Sequence, residues 1–152
     1  MISKHVSMQE GIRSVTAMRL GVENKPGDNQ LEAMKLIAEK IFEPLREWVG
    51  GPIKINSFFR SVTLNNAIGG SSNSQHCKGQ AMDIDDTYGN KSNKEMFEYI
   101  KANLDYDQMI WEFGTKDNPA WVHVSYVSTQ KNRRKCLEAS RVGNTTRYKE
   151  IC

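Results

Sequence analysis

Cysteine is scarce: Cys77, Cys136 and Cys152 are the only three. An odd number at irregular spacing is no disulfide framework, so reduced thiols in a protein made in the cytoplasm are expected. The first residues, Met1 to Ser7, hold no apolar run, and no secretion signal is expected there. No stretch approaches the ~20 apolar residues of a membrane span, so no membrane insertion is expected. Charge of one sign is also in short supply. Lys and Arg number 21 against 18 Asp and Glu, a net +3. That suits an anionic partner such as a cell-wall polymer and is too weak to argue for nucleic acid. Repeats, linkers and low-complexity tracts are missing, so residues 1–152 are expected to form one domain. At that length a core can be buried without disulfide staples.

What is present begins with helical periodicity. Ser7 and Glu10 fit a capping box, and Ile12, Val15 and Met18 recur at helical spacing, which predicts one helix over 7–20. Asp28 is the expected cap of the longest helix, where Leu31, Met34, Ile37, Ile41, Leu45 and Trp48 form one stripe. Pro44 should kink or restart it. Ile53 to Ser57 alternates as a strand does, and Val62 to Ile68 makes a helical turn. Gln80 to Asp85 alternates again, with Ala81, Asp83 and Asp85 on one face. Ser92 and Glu95 make a second capping box. Asp107 to Phe113 and Trp121 to Tyr126 are the next strands, and a tail hairpin is expected to turn at Gly143-Asn144. Helices first, then strands with one helix among them, point to an α+β domain with a small antiparallel sheet.

The chemistry concentrates in Ser74 to Asp83. His76 and Asp83 stand seven residues apart, and His123 lies in a later strand. Two histidines and one carboxylate form a three-ligand set for a catalytic zinc, with the fourth position open. His5 is expected to be solvated surface. Cys77 adjoins a ligand, with its side chain expected to point away. Gly79 and Ala81 leave space between the His76 and Asp83 segments. Arg60 offers a planar fork for a substrate carboxylate, or else a surface salt bridge. Ser74 either meets substrate or shapes its loop.

The two strands around residues 110 and 123 provide a separate argument. Opposed residues of an antiparallel pair have a constant sum of positions. An odd sum collects Met109, Trp111 and Phe113 with Val122, Val124 and Tyr126 on one apolar face. It puts Gln108 and Glu112 on the face of His123. An even sum mixes both faces, so burial favours the odd one. Glu112 then becomes the candidate general base, with Asp117 in the connecting loop as the fallback.

Ser74-x-His76-x-x-Gly79-x-Ala81-x-Asp83, with His123 downstream, resembles the zinc D-alanyl-D-alanine carboxypeptidase family, which also includes L-alanyl-D-glutamate endopeptidases of phage lysins. Thr16 to Gly21, Ile55 to Ser61, Asn65, Gly69-Gly70, Asp107 to Glu112 and Trp121 to Tyr126 resemble its phage-type carboxypeptidase-like C-terminal domain subgroup. The resemblance implies a hedgehog/D-Ala-D-Ala peptidase-like α+β fold with one zinc on the sheet. It implies His76, Asp83 and His123 as zinc ligands, Arg60 as a substrate contact and Glu112 as general base. One position departs: many members carry the acid three residues before the last histidine, where this chain has Ala120.

The expected function is therefore a zinc-dependent peptidase acting on peptidoglycan stem peptides, with Arg60, Ser74 and Gln108 on the substrate. It would work as an endolysin or a virion-borne lysin that another component carries to the cell wall. The alternative is a non-catalytic zinc-holding module that grips wall peptides. Two histidines and a carboxylate also suit the iron of a non-haem oxygenase. Those sites set the first histidine and the acid much closer together.

Overall fold

The computed structural model describes residues 1–152. Ser7 and Glu10 close their capping box at the head of α1 (Met8–Ile12). The single helix expected over 7–20 is two. Ser14 adopts an extended conformation, and its hydroxyl accepts from Ala17 N at 3.1 Å to start α2 (Val15–Leu20). A serine side chain that satisfies a free helix-end N–H ends one helix by capping the next. His5 is exposed, as expected, and its Nδ1 lies 2.6 Å from Glu43 Oε1.

The long helical stretch begins as α3 (Asp28–Ile37). Gly27 is its N-cap, and Asp28 sits one position inside, where its charge meets the positive end of the helix. Pro44 has no N–H to donate. The helix passes through a π turn (Ala38–Phe42), with Glu43 N bonded to Ala38 O, and resumes as α4 (Glu43–Val49). The stripe faces inward: Met34, Ile37, Ile41 and Leu45 are all 1% exposed or less.

Six strands form one sheet in the order β1-β2-β4-β3-β5-β6. They are β1 (Lys54–Ser57), β2 (Ala81–Asp85), β3 (Gln108–Glu112), β4 (Trp121–Ser125), β5 (Lys135–Val142) and β6 (Thr145–Glu150). Ile110 pairs with His123 and Trp111 with Val122, so the positional sum is odd, as burial requires. Met82, Ile84, Met109, Trp111, Val122 and Val124 make the core face, none more than 6% exposed; Phe113, expected with them, lies past the end of β3 at φ 56° and packs on Trp121 on the opposite face. Slipping the register by one residue would expose the core set, at a cost on the order of 10 kcal/mol. The Ser92–Glu95 capping box starts α5 (Asn93–Asn103), which lays Met96, Phe97 and Ile100 on the core face. Phe97 meets Trp111 edge-on at 5.4 Å.

The sheet is not wholly antiparallel, because β5 runs parallel to β3. The reason is positional. Both edges of β4 are occupied, by β2 and β3. The chain leaving β4 therefore returns to the outer edge of β3, entering beside Gln108 and running with it. Buried Asp107 anchors this return: its two oxygens accept from Arg133 Nε and Nη2 at 3.1 and 2.8 Å. The tail hairpin turns at Gly143, in the left-handed region at φ 63°. Its register brings Ile151 N to Cys136 O at 2.9 Å, and Cys136 is bonded to Cys152. Reduced thiols throughout were expected. Only Cys77 is free.

Candidate metal centre and cleft

Asp83 and His123 are direct partners across β2 and β4, on the face opposite the core. Their side chains meet, with His123 Nδ1 2.9 Å from Asp83 Oδ1. His76 comes from a one-turn 3-10 helix (Gln75–Lys78) placed just before β2. Ser74 caps that turn, its hydroxyl accepting from His76 N at 3.3 Å. Gly79 ends it at φ 71°, and a Cβ there would lie 2.4 Å from Gln30 O on α3. Glycine is needed on both counts, since the backbone is left-handed and the neighbouring helix leaves no room.

The imidazole of His76 is oriented from behind. A carbonyl can only accept, so the 2.7 Å contact with Phe58 O makes Nδ1 the donor. The lone pair is then on Nε2, which is buried without a hydrogen-bond partner and lies 3.3 Å from Asp83 Oδ2. A lone pair facing a carboxylate calls for a cation between them. Donors arranged tetrahedrally at ~2.1 Å from zinc lie about 3.4 Å apart. His76 Nε2 is at 3.3 Å from Asp83 Oδ2 and His123 Nδ1 at 2.9 Å from Asp83 Oδ1, and one donor atom from each of the three residues lies within 4.8 Å of the other two. Protonation favours the same use. Burial holds His76 below the usual imidazole range against the pull of Asp83. Burial would raise the Asp83 carboxyl, but the two imidazoles that face it hold it well below the usual range. Neutral imidazole and ionised carboxylate are the forms that bind metal. The chemistry of this donor set fits zinc.

The cluster lies in a cleft of about 710 Å³. Glu112 lines it from β3, on the face of His123, and is 8% exposed. Burial, with some help from the Asp83 charge and against His123, pushes its carboxyl up to about 7. Arg60, just beyond β1, lines the cleft on the other side. Its Nε is buried with no hydrogen-bond partner. A bulge in β1 between Ile55 and Ser57 re-aims the chain ahead of Phe58 and Arg60. Ser74 and Gln108 also line the cleft. Asn65 braces the rim, donating from Nδ2 to Ser71 O at 2.8 Å.

The structure thus brings together His76, Asp83, His123, Glu112, Arg60, Ser74 and Gln108. It leaves out Asp117, which is exposed in the β3–β4 loop and lines no part of the cleft. Cys77 likewise stays outside, and burial raises its thiol, with Arg60 opposing. Sequence reasoning missed the far wall: Leu137 and Arg141 on β5 and Tyr148 on β6. Their signal was the alternation of the tail strands. It could be assigned to a face only once β5 was known to pair with β3.

A model of the family described as Peptidase M15 matches residues 4–125. The matched span carries all seven of the convergent residues and ends before β5. Among curated proteins no match is found.

Proposed function

This chain belongs to the peptidase M15 family of zinc peptidases, and from that premise we propose that it hydrolyses amide bonds in the stem peptides of bacterial peptidoglycan. The observation that carries the reading is the placement of Glu112. A half-protonatable carboxyl shares the floor of one cleft with a His–Asp–His set suited to zinc.

Zinc, when bound, polarises the scissile carbonyl and lowers the pKa of an attacking water towards ~7. The remaining work falls to the chain. Glu112 accepts the proton of the water and delivers it to the leaving nitrogen, which needs a group that both takes and gives near neutral pH. Arg60 supplies a buried, unpaired guanidinium edge for a substrate carboxylate. Phe58 O holds the His76 tautomer, and Ser74 holds the turn that carries it. Glu112 takes the role for which many relatives use the position of Ala120. It approaches from the neighbouring strand instead of from β4.

Action at the cell wall, by a phage endolysin or a virion-borne lysin, is part of the proposal. The Cys136–Cys152 bond supports a working place outside a reducing cytoplasm. The test is amine release from purified peptidoglycan by the zinc-loaded chain, with product masses naming the bond. Release that is lost both in Glu112→Gln and in metal-stripped protein supports the proposal. No release by zinc-loaded wild type across several wall types would leave the wall-binding module.

A further inference from the structure

Trp121, Glu112, Ala139 and Tyr148 are successive cross-strand partners over β4, β3, β5 and β6. Such partners point to the same side of a sheet. Tyr148 therefore stands on the face of Glu112, with only the methyl group of Ala139 between them. That methyl is covered, at 1% exposure. Two strand spacings of about 4.8 Å separate the backbones, and both side chains line the one cleft. Tyr148 is 58% exposed, open to a ligand in the cleft; partial desolvation first, then the charges of Glu112 and Asp83, push its phenol up, so it remains a hydrogen-bond donor through neutral pH.

Arg141 lies two residues beyond Ala139 on the same face of β5. Its guanidinium is over the Phe113 ring, 5.5 Å from the centroid, and that ring packs on Trp121 at 5.5 Å. Phe113 itself is held at φ 56°, a conformation bulky residues seldom adopt. Arg141 makes no ion pair, whereas Arg133, the other arginine on this side of the cleft, is committed to Asp107. The cleft thus ends in an unpaired guanidinium on each side. Arg60 is beyond β1 and Arg141 is on β5, with the His–Asp–His set and Glu112 between them.

We propose that the β5–β6 hairpin, outside the span shared with the family, is a second substrate-recognition wall: Arg141 binds a carboxylate and Tyr148 donates a hydrogen bond to the peptide, across the cleaved bond from the group that Arg60 receives. This rests on the peptidase reading and sharpens it. The substrate continues past the cleaved bond on both sides and carries an acidic group about one or two residues from it, judging by strand spacing and the rise of an extended chain.

The experiment uses two synthetic stem-type peptides extended on both sides of the cleaved bond. They differ only in whether the carboxylate on the Arg141 side is free or amidated. Binding to zinc-loaded Glu112→Gln protein is measured by calorimetry, and cleavage by zinc-loaded wild type is followed by mass. The free carboxylate should bind about tenfold more tightly, as a charged hydrogen bond warrants. Adding Arg141→Ala should collapse that preference to about twofold, and Arg141→Lys should restore part of it. Tyr148→Phe should weaken both peptides alike. Circular dichroism and melting curves confirm that each variant is folded. Equal affinity for the two peptides, no binding of either, or a preference that survives Arg141→Ala overturns the proposal. Charge-selective binding with no cleavage of either peptide sinks the peptidase reading and leaves the recognition wall standing.

Discussion

Asp83 on β2 and His123 on β4 face each other directly across an antiparallel pair, 2.9 Å apart at Oδ1 and Nδ1. Two ligands of the proposed centre are therefore fixed by sheet register alone. The third, His76, is fixed by a capped turn and by Phe58 O. Asp83→Asn keeps the shape and removes the charge between two imidazoles. Zinc affinity should fall by more than the 10–100-fold typical of losing an outer-shell partner. Zinc content by mass spectrometry after dialysis against a graded chelator checks this. Retention equal to wild type would remove Asp83 from the ligand set.

Glu112 makes a prediction about stability as well as activity. Its ordinary value is 4.5, and burial pushes it to about 7 in the folded chain. Between those values the folded state holds a proton that the unfolded state has lost. Stability of the metal-free protein should therefore fall as pH rises from 4.5 to 7, and the cost is fully present above 7. Glu112→Gln removes that cost. It should stabilise the metal-free chain at pH 8 by up to about 3 kcal/mol, with no gain at pH 4. The same substitution should lower kcat by roughly 10²–10⁴. Urea unfolding at the two pH values separates this from a surface glutamate, for which both differences would be near zero.

The pairing of Ile110 with His123 was legible because one face of that hairpin is wholly apolar and only one register buries it. The ligand spacing was legible too, since His76 and Asp83 are local to one turn and one strand. The parallel placement of β5 was not, because it depends on which sheet edges other strands have already filled. Arg141 and Tyr148 were lost with it, being ordinary polar positions on an alternating strand. The Cys136–Cys152 bond was hidden for a related reason. Spacing alone says nothing of a hairpin register that returns the chain to within reach. The break at Ser14 was a local signal outvoted by periodicity: a capping serine stands in the middle of an apolar pattern.

Gly79 tests how closely the metal turn depends on α3. A Cβ at this position would meet Gln30 O at 2.4 Å and Met34 Cγ at 2.9 Å, on a backbone at φ 71°. Gly79→Ala should destabilise the chain by about 2–3 kcal/mol, through both the left-handed backbone and the clash. Since the strain falls three residues after His76, zinc affinity should drop as well. Gly21→Ala is the control. Gly21 has a similar φ of 66° but nothing within 4 Å, so it should lose about 1 kcal/mol and keep its zinc. Equal losses at the two sites would show that backbone conformation alone, and not the packing of the turn on α3, sets the cost.

Cys152 closes a loop of 16 residues onto Cys136. A cross-link of that span removes unfolded-state freedom worth about 3 kcal/mol. Cys136 is fully buried beside the Tyr106 hydroxyl, so it is better left in place, and Cys152→Ser is the cleaner variant. Its melting point should fall by roughly 6–12 °C, which is that energy at about 2–4 °C per kcal/mol for a chain of this size. Reductant should lower the wild type to match and leave Cys152→Ser unmoved. The cleft should survive, because β5 is held by its ladder to β3 from Gln108 to Glu112 and not by the disulfide. Peptide binding at 25 °C should therefore change little while the melting point moves. Thiol titration of the denatured, unreduced protein gives the direct check, with one reactive thiol expected, that of Cys77. Three thiols, with a melting point indifferent to reductant, would mean that the hairpin is held by its backbone ladder alone.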